Sequence, residues 1–290
     1  MIVFSDLLEK LVFTSSKNSK IELIVDYLKH TKDPDRGYAI AAITNGLIFN
    51  NLKPSHLKEL VQSKVDPVLF KISYDYVGDL GETISLIWPE NKNGKIPKLS
   101  KLINLIKNKS KNDVKQLIIN LLDISSPNQR WALIKLLTGG LRVGVSSKLA
   151  KIALAKYGCK DVTEIEEIWH GLKVPYIELF KWLDMKATKP KISQNKIFNP
   201  MMLSNPINEK KDLKIITPNN FFAEWKWDGI RVQLVSDIKE KRMFSRTGDD
   251  ISEAFPEIIQ KMNGFGVLDG ELLVGHKFIP LPFNSLQKRL

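Results

Sequence analysis

The sequence predicts a multi-domain fold, with an all-α part over residues 1–190 and an α+β part over residues 200–290. Apolar residues recur at three- and four-residue intervals through the first part, which sets them along one side of successive helices. Beyond residue 200 the pattern changes to short strand-like runs at 232–235, 241–245 and 267–274. Between the two, 187–199 is rich in Lys, Pro, Ser and Asn with little apolar pattern, which places a linker at 191–199.

The 290 residues suffice for one large domain or two ordinary ones. An apolar fraction of 43%, with 9% aromatic residues, supports a hydrophobic core and excludes general disorder. The formal charge of +12 and pI near 9.5 favour a polyanionic partner, since Lys and Arg on phosphates release condensed counterions. Cys159 is the only cysteine, which excludes disulfides and cysteine-based zinc sites within one chain. The N-terminus lacks a basic region followed by an apolar one, and no run of about 18 apolar residues occurs. A soluble, cytoplasmic protein with no membrane partner is expected.

In chain order, Phe4, Leu7, Leu8 and Leu11 share a helical face. A break at 15–18 precedes a second helix with Ile21, Leu23, Ile24, Tyr27 and Leu28. Asp33-Pro34-Asp35 has the composition to cap a third, carrying Tyr38, Ile40, Ala41 and Ile43. Another helical stretch surrounds 79–84 and ends at Trp88-Pro89, before a turn at Asn91-Lys92-Asn93-Gly94-Lys95. Residues 91–120 carry eight lysines against one acid, Asp113, opposite an apolar face of Leu99, Leu102, Ile103 and Ile106. A solvated face and a phosphate-contacting face both account for that run. His170 stands near Glu164, Glu166 and Glu167, but no second histidine lies at ligand spacing, so it reads as a surface or core residue.

The most informative stretch of the first part is Thr138-Gly139-Gly140-Leu141-Arg142-Val143-Gly144-Val145-Ser146-Ser147-Lys148-Leu149. Glycine breaks frame a short extended segment, and Ser146 is placed to cap a helix bearing Leu149, Ile152, Ala153 and Tyr157. Helix N-terminal amides flanked by Arg142 and Lys148 form a natural phosphate site. An ordinary capped helix connection has the same spacing. In the second part, Glu224-Trp225-Lys226-Trp227-Asp228-Gly229-Ile230-Arg231 reads as strand, Asp-Gly turn, strand, holding Lys226, Asp228 and Arg231 together. A lysine beside other cations and partly desolvated becomes a usable nucleophile.

Lys226-x-Asp228-Gly229-x-Arg231 resembles the nucleotidyl-lysine motif of DNA ligases, RNA ligases and mRNA capping enzymes. Phe244-Ser245-Arg246-Thr247-Gly248 and Val267-Leu268-Asp269-Gly270-Glu271-Leu272-Leu273 follow in the order that family requires, the latter with an Asp-Gly hairpin signal. Gly139 to Ser146 is similar to a segment of the helical DNA-binding domain of ATP-dependent DNA ligases. Asp33-Pro34-Asp35-Arg36-Gly37 and Asp79-Leu80-Gly81-Glu82-Thr83 resemble bacterial ligases with such a domain, and Pro200-Met201-Met202-Leu203-Ser204 resembles the opening of their adenylation domains.

The resemblance implies an all-α DNA-binding domain followed by part of an α+β adenylation domain, an ATP-grasp-like nucleotidyltransferase. It implies nick sealing in duplex DNA with ATP and Mg²⁺, through lysyl-AMP on Lys226. Glu224 is expected by the adenine, and Arg231 and Arg246 at ribose and phosphate oxygens, where planar guanidinium forks fit. Glu271 is expected either on the ribose or at Mg²⁺ through solvent. Arg142, Ser146 and Lys148 are expected on DNA. The sequence stops at 283–290 in what resembles the middle of the adenylation domain, so impaired catalysis is expected of this chain. A non-catalytic DNA-binding remnant is the alternative, and an RNA ligase or capping-type enzyme a further one that the long helical part disfavours. Repair, replication and recombination are not separated by these features, nor is oligomeric state.

Overall fold

The structure is a computed structural model that describes residues 1–47, 49, 54–89, 94–139, 141–192, 198–199, 201–202, 204, 206–237, 240–246, 248–277 and 279–289, with the backbone alone at 54, 55, 111 and 112. Asn91, Lys92 and Asn93 of the expected turn, Gly140, linker residues 193–197, Pro200, Leu203, Thr247 and Leu290 lie outside the described residues. The chain divides into two compact units. One comprises Met1–Ile165 with Leu172–Pro190, and the other Glu166–Gly171 with Lys191–Leu290.

Twelve described helices precede residue 190: α1 (Ile2–Phe13), α2 (Lys17–His30), α3 (Asp35–Ile43), α4 (Pro54–Gln62), α5 (Pro67–Val77), α6 (Leu80–Ile87), α7 (Leu99–Lys107), α8 (Lys111–Asp123), α9 (Pro127–Thr138), α10 (Ser147–Gly158), α11 (Val162–Trp169) and α12 (Ile177–Leu183). Their apolar faces are buried as the periodicity predicts: Phe4, Leu7, Leu8 and Leu11 on α1, and Leu99, Leu102, Ile103 and Ile106 on α7. Lys95, Lys98, Lys101, Lys107 and Lys109 are exposed. Among the described residues no helix is long and apolar enough to cross a membrane.

Local caps set several helix ends. Asp79 accepts from the Glu82 amide at 3.0 Å and also pairs with Lys135 of α9, so one carboxylate starts α6 and ties it to its neighbour. The break before α2 is shorter than expected, because Ser16 caps the helix and Lys17 and Asn18 already lie inside it. Neither aspartate caps α3, whose N-cap is Pro34. Asp35 instead accepts from the Ser100 amide at 2.8 Å, 65 residues away. Asp33 chelates Arg36 through Nε and Nη2, both at 2.8 Å. Arg36 is buried, also reaches both oxygens of Asp184 and the Tyr157 hydroxyl, and lies 4.2 Å from the Phe180 ring centre. This network joins α3, α10 and the residue after α12, and leaves no buried charge unpaired, the condition for burying an arginine. Arg36, with Tyr157 and Lys186 adding hydrogen bonds, holds the Asp184 carboxyl far below the usual carboxylate range against the opposing effect of burial.

The second unit contains α13 (Glu209–Asp212), β1 (Ile230–Ser236), β2 (Lys241–Ser245), α14 (Pro256–Lys261), β3 (Gly266–Leu272), the two-residue strands β4 (Gly275–His276) and β5 (Ile279–Pro280), and α15 (Phe283–Gln287). β1 is the central strand, antiparallel to β2 on one side and β3 on the other. One face buries Val232 and Met243 with Phe255 and Leu286. On the other, Val235 and Phe244 pack with Phe198. His170 lies edge-on to Phe198 at 4.9 Å and belongs to this aromatic group. Among the described residues no three His, Cys, Asp or Glu side chains gather as a metal cluster.

Candidate active site and nucleic-acid interface

Side chains alternate across a strand, so the register decides which residues share a face. Arg231 of β1 pairs with Glu271 of β3, and Gln233 with Asp269 and with Phe244 of β2. Arg231, Gln233, Asp269 and Glu271 therefore stand on the Phe244 face, beyond its small apolar cluster. Gln233 is only 3% exposed and is satisfied by the Asn199 backbone, at 2.7 Å to its amide and 2.9 Å to its carbonyl. Phe198 and Asn199 thus pack into the second unit, although they fall in the stretch expected as a linker.

Arg231 donates from Nε to Asp269 Oδ1 at 3.0 Å and from Nη2 to Oδ2 at 2.8 Å. This bidentate geometry fixes the guanidinium plane and leaves Nη1 for a further acceptor. Arg231 holds the Asp269 carboxyl below its ordinary value, and Asp269 in turn raises that of Arg231. Glu271 Oε1 accepts from the Gly229 amide at 3.2 Å. A Cβ at Gly229 would stand 2.3 Å from the Leu272 carbonyl oxygen, so the backbone reaches β3 only without a side chain there. The β1–β2 ladder ends at Val232↔Ser245, and exposed Arg246 is the next residue of the chain. Arg231 and Glu271 stand side by side at this end of the sheet, and Arg246 directly follows the last residue of β2.

Four sequence expectations are overturned here. Asp228-Gly229 closes no hairpin, since both neighbours of β1 come later in the chain and residues 221–228 have no regular structure. The apparent alternation is not one of burial: Phe222 is 98% and Trp225 84% exposed. Lys226 and Glu224 are likewise exposed, so the expected partial desolvation of the lysine is absent. Asp269-Gly270 is no turn either, but the interior of β3, where the strand is held by its ladder to β1. The structure thus brings together Arg231 and Glu271, leaves Arg246 exposed just past the end of β2, and carries Lys226 and Glu224 on the exposed segment leading into Gly229. Asp269 was singled out only as a turn residue. The signal for its pairing is a carboxylate two positions before Glu271, on the same face of β3.

In the helical unit, α9 ends at Gly139 in the left-handed conformation, φ 69°. Arg142 is also left-handed at φ 44°, which corrects the expected extended segment. Its side chain is exposed between buried Leu141 and Val143. Ser146 caps α10 as expected, its hydroxyl accepting from the Leu149 amide at 3.2 Å. Lys148 is exposed in the first turn, where helix amides have no intrahelical acceptor. Ser146 and Lys148 accordingly lie at the N-terminal end of α10, the positive end of its dipole, and Arg142 lies on the loop that leads into it.

Residues 1–155 match the family model described as DNA ligase N terminus, and residues 201–290 the one described as ATP dependent DNA ligase domain. The chain belongs to the ATP-dependent DNA ligase family. Within it, the chain is 26% identical to a probable DNA ligase of Koribacter versatilis over 97% of its own length and 51% of the relative's. It is 25% identical to DNA ligase 1 of Korarchaeum cryptofilum, over 98% of this chain and 55% of that one. A DNA ligase of Nitrosopumilus maritimus is 32% identical over 57% of this chain and 29% of its own. The chain spans about half the length of the relatives that it matches almost throughout.

Proposed function

We propose that this chain contributes the nucleotidyl-transfer and duplex-gripping elements of an ATP-dependent DNA ligase. The observation that carries the reading is the Arg231–Glu271 pair at one sheet end, with the Lys226 segment tied to it through the Gly229–Glu271 hydrogen bond. Lys226 is the nucleophile. After its ammonium loses a proton, Nζ attacks the α-phosphorus of ATP, an N–P bond forms, and the bond to the pyrophosphate oxygen breaks. Arg231, oriented by Asp269, and Arg246 take ribose and phosphate oxygens, and Glu224 accepts at the adenine. AMP then passes to the 5′-phosphate at a nick, and the 3′-hydroxyl displaces it to seal the strand.

The residues fit a divalent cation. Mg²⁺ commonly uses one or two carboxylates together with water and substrate phosphates, and Glu271 engages Gly229 through Oε1, leaving Oε2 for the ion or its water. When bound there, Mg²⁺ would neutralise triphosphate charge. Arg142, Lys148 and the capped start of α10 grip the phosphate backbone of nicked duplex DNA.

Incubating the purified chain with α-labelled ATP and Mg²⁺ tests the first step. Covalent label on the wild-type chain and none on Lys226→Ala is the expected result. Absence of label on the wild type, together with salt-dependent binding to nicked duplex, would remove the catalytic part of the reading and leave a DNA-binding chain.

A further inference from the structure

We infer that Lys20 is a positioning residue for the Arg142 loop, its buried ammonium holding the backbone bend that presents Arg142 to a DNA phosphate. The inference rests on the DNA-binding reading of that loop given above. Lys20 projects from α2 and is 7% exposed. Its Nζ donates to the Val143 carbonyl at 2.7 Å and the Gly144 carbonyl at 3.3 Å, more than 120 residues away in sequence. Among the described residues no carboxylate pairs with it. An ammonium taken out of water without a counter-ion is held at a cost, and two neutral carbonyls offset only part of it.

The loop has a specific use for such a group. Gly139, Arg142 and Gly144 all have positive φ, at 69°, 44° and 67°. Glycine adopts that conformation freely, whereas arginine is held there only by its surroundings. Leu141 and Val143 anchor the loop on both sides of Arg142, and Lys20 clamps the two carbonyls that follow it. Those carbonyl oxygens would repel a phosphate if they faced outward. Turned inward onto Lys20, they leave the guanidinium of Arg142, the ammonium of Lys148 and the first amides of α10 at the surface. The glycine at 144 follows from the same arrangement, since a Cβ there would stand 2.3 Å from Lys20 Nζ.

The test titrates a labelled nicked duplex with the full chain across a salt series, using Arg142→Ala, Lys20→Met and the double variant, with thermal melting alongside. Arg142→Ala and Lys20→Met are each expected to weaken binding about tenfold, the scale of one charge-assisted contact. Each is expected to lower the log–log salt slope by about one phosphate contact. The double variant should bind no more weakly than Arg142→Ala, because Lys20 acts through Arg142. Wild-type affinity and slope in Lys20→Met, or losses that multiply in the double variant, would overturn the inference. A purely structural lysine lowers the melting temperature and leaves the slope unchanged, which also overturns it. If Lys20→Met does not fold, Gly144→Ala displaces the same ammonium and carries the same expectations. If Arg142→Ala itself changes neither affinity nor slope, the DNA-binding reading of the loop falls, and the inference with it. A clear loss in Arg142→Ala with a silent Lys20→Met sinks the inference alone.

Discussion

Phe4 of α1 is 1% exposed and Phe222, ahead of β1, is 98% exposed, although both sit in runs of regularly spaced apolar residues. The difference lies in what each run packs against. On α1 the periodic positions Phe4, Leu7, Leu8 and Leu11 are buried, and the helix packs against α2 and α9. Residues 221–228 have no ladder and no opposing layer among the described residues, so their aromatic rings meet solvent. The same contrast holds for ion pairs. Arg36 and Asp184 are sunk among helices at 6% and 12% exposure, with Asp33 at the edge of the network, whereas Arg231 and Asp269 are each about one-third exposed on the sheet. Packing carries the helical unit, and the sheet unit leaves chemistry-bearing side chains accessible.

The largest expected break in that comparison is Phe4→Ala, costing about 3–5 kcal/mol for a buried aromatic. Phe222→Ala should change stability by no more than about 0.5 kcal/mol. Urea unfolding followed by helical ellipticity measures both, and equal losses would mean that Phe222 is packed in solution.

Next in size is Asp184→Asn, expected to cost about 2 kcal/mol at neutral pH, the scale of a buried hydrogen bond to a charged group. Because folding depresses the Asp184 value, its contribution is complete above the unfolded carboxylate value near 3.9 and fades as pH falls below it. The gap in melting temperature between wild type and variant should therefore begin to narrow below about pH 4 and close only as pH falls through the strongly depressed folded value. Asp269→Asn, on the sheet surface, should cost under about 1 kcal/mol at any pH. A pH-independent gap for Asp184→Asn would contradict the assigned pairing.

The smallest pair contrasts two glycines. Gly229→Ala sets a Cβ against the Leu272 carbonyl oxygen and should cost about 1 kcal/mol, at the low end of overpacking because β3 is an exposed strand that can shift. Label transfer to Lys226 should fall with it. Gly270→Ala meets nothing within 4 Å and should leave both stability and labelling unchanged. Similar labelling in the two variants would separate Gly229 from the site.

The helical part was legible where local physics decides it. Periodicity located the buried faces of α1, α2 and α7, and side-chain chemistry located the Ser146 cap. The misses share one cause, a distant partner. Asp35 looks like a capping residue until Ser100 arrives from another helix, and nothing in the sequence marks Lys20, whose burial comes with the distant Val143 and Gly144 carbonyls. The two Asp-Gly pairs failed for the same reason. The dipeptide permits a turn, but Gly270 lies in a strand held by its ladder, and Gly229 exists to let one backbone approach another. Arg231, Arg246 and Glu271 were named through the resemblance to nucleotidyltransferase motifs, while the Arg231–Asp269 fork required the register.

That register also governs how the second unit tolerates changes of length. β1 presents Val232 to the Phe255 cluster and Val235 to the Phe198 cluster, while Gln233 spends its amide on Asn199. One residue inserted or deleted between 229 and 231 would exchange the two faces at every later position of the strand. Gln233 would enter an apolar cluster, and Arg231 would lose both Asp269 and its place beside Glu271. In this short strand, spacing is constrained more tightly than the identity of most residues in it.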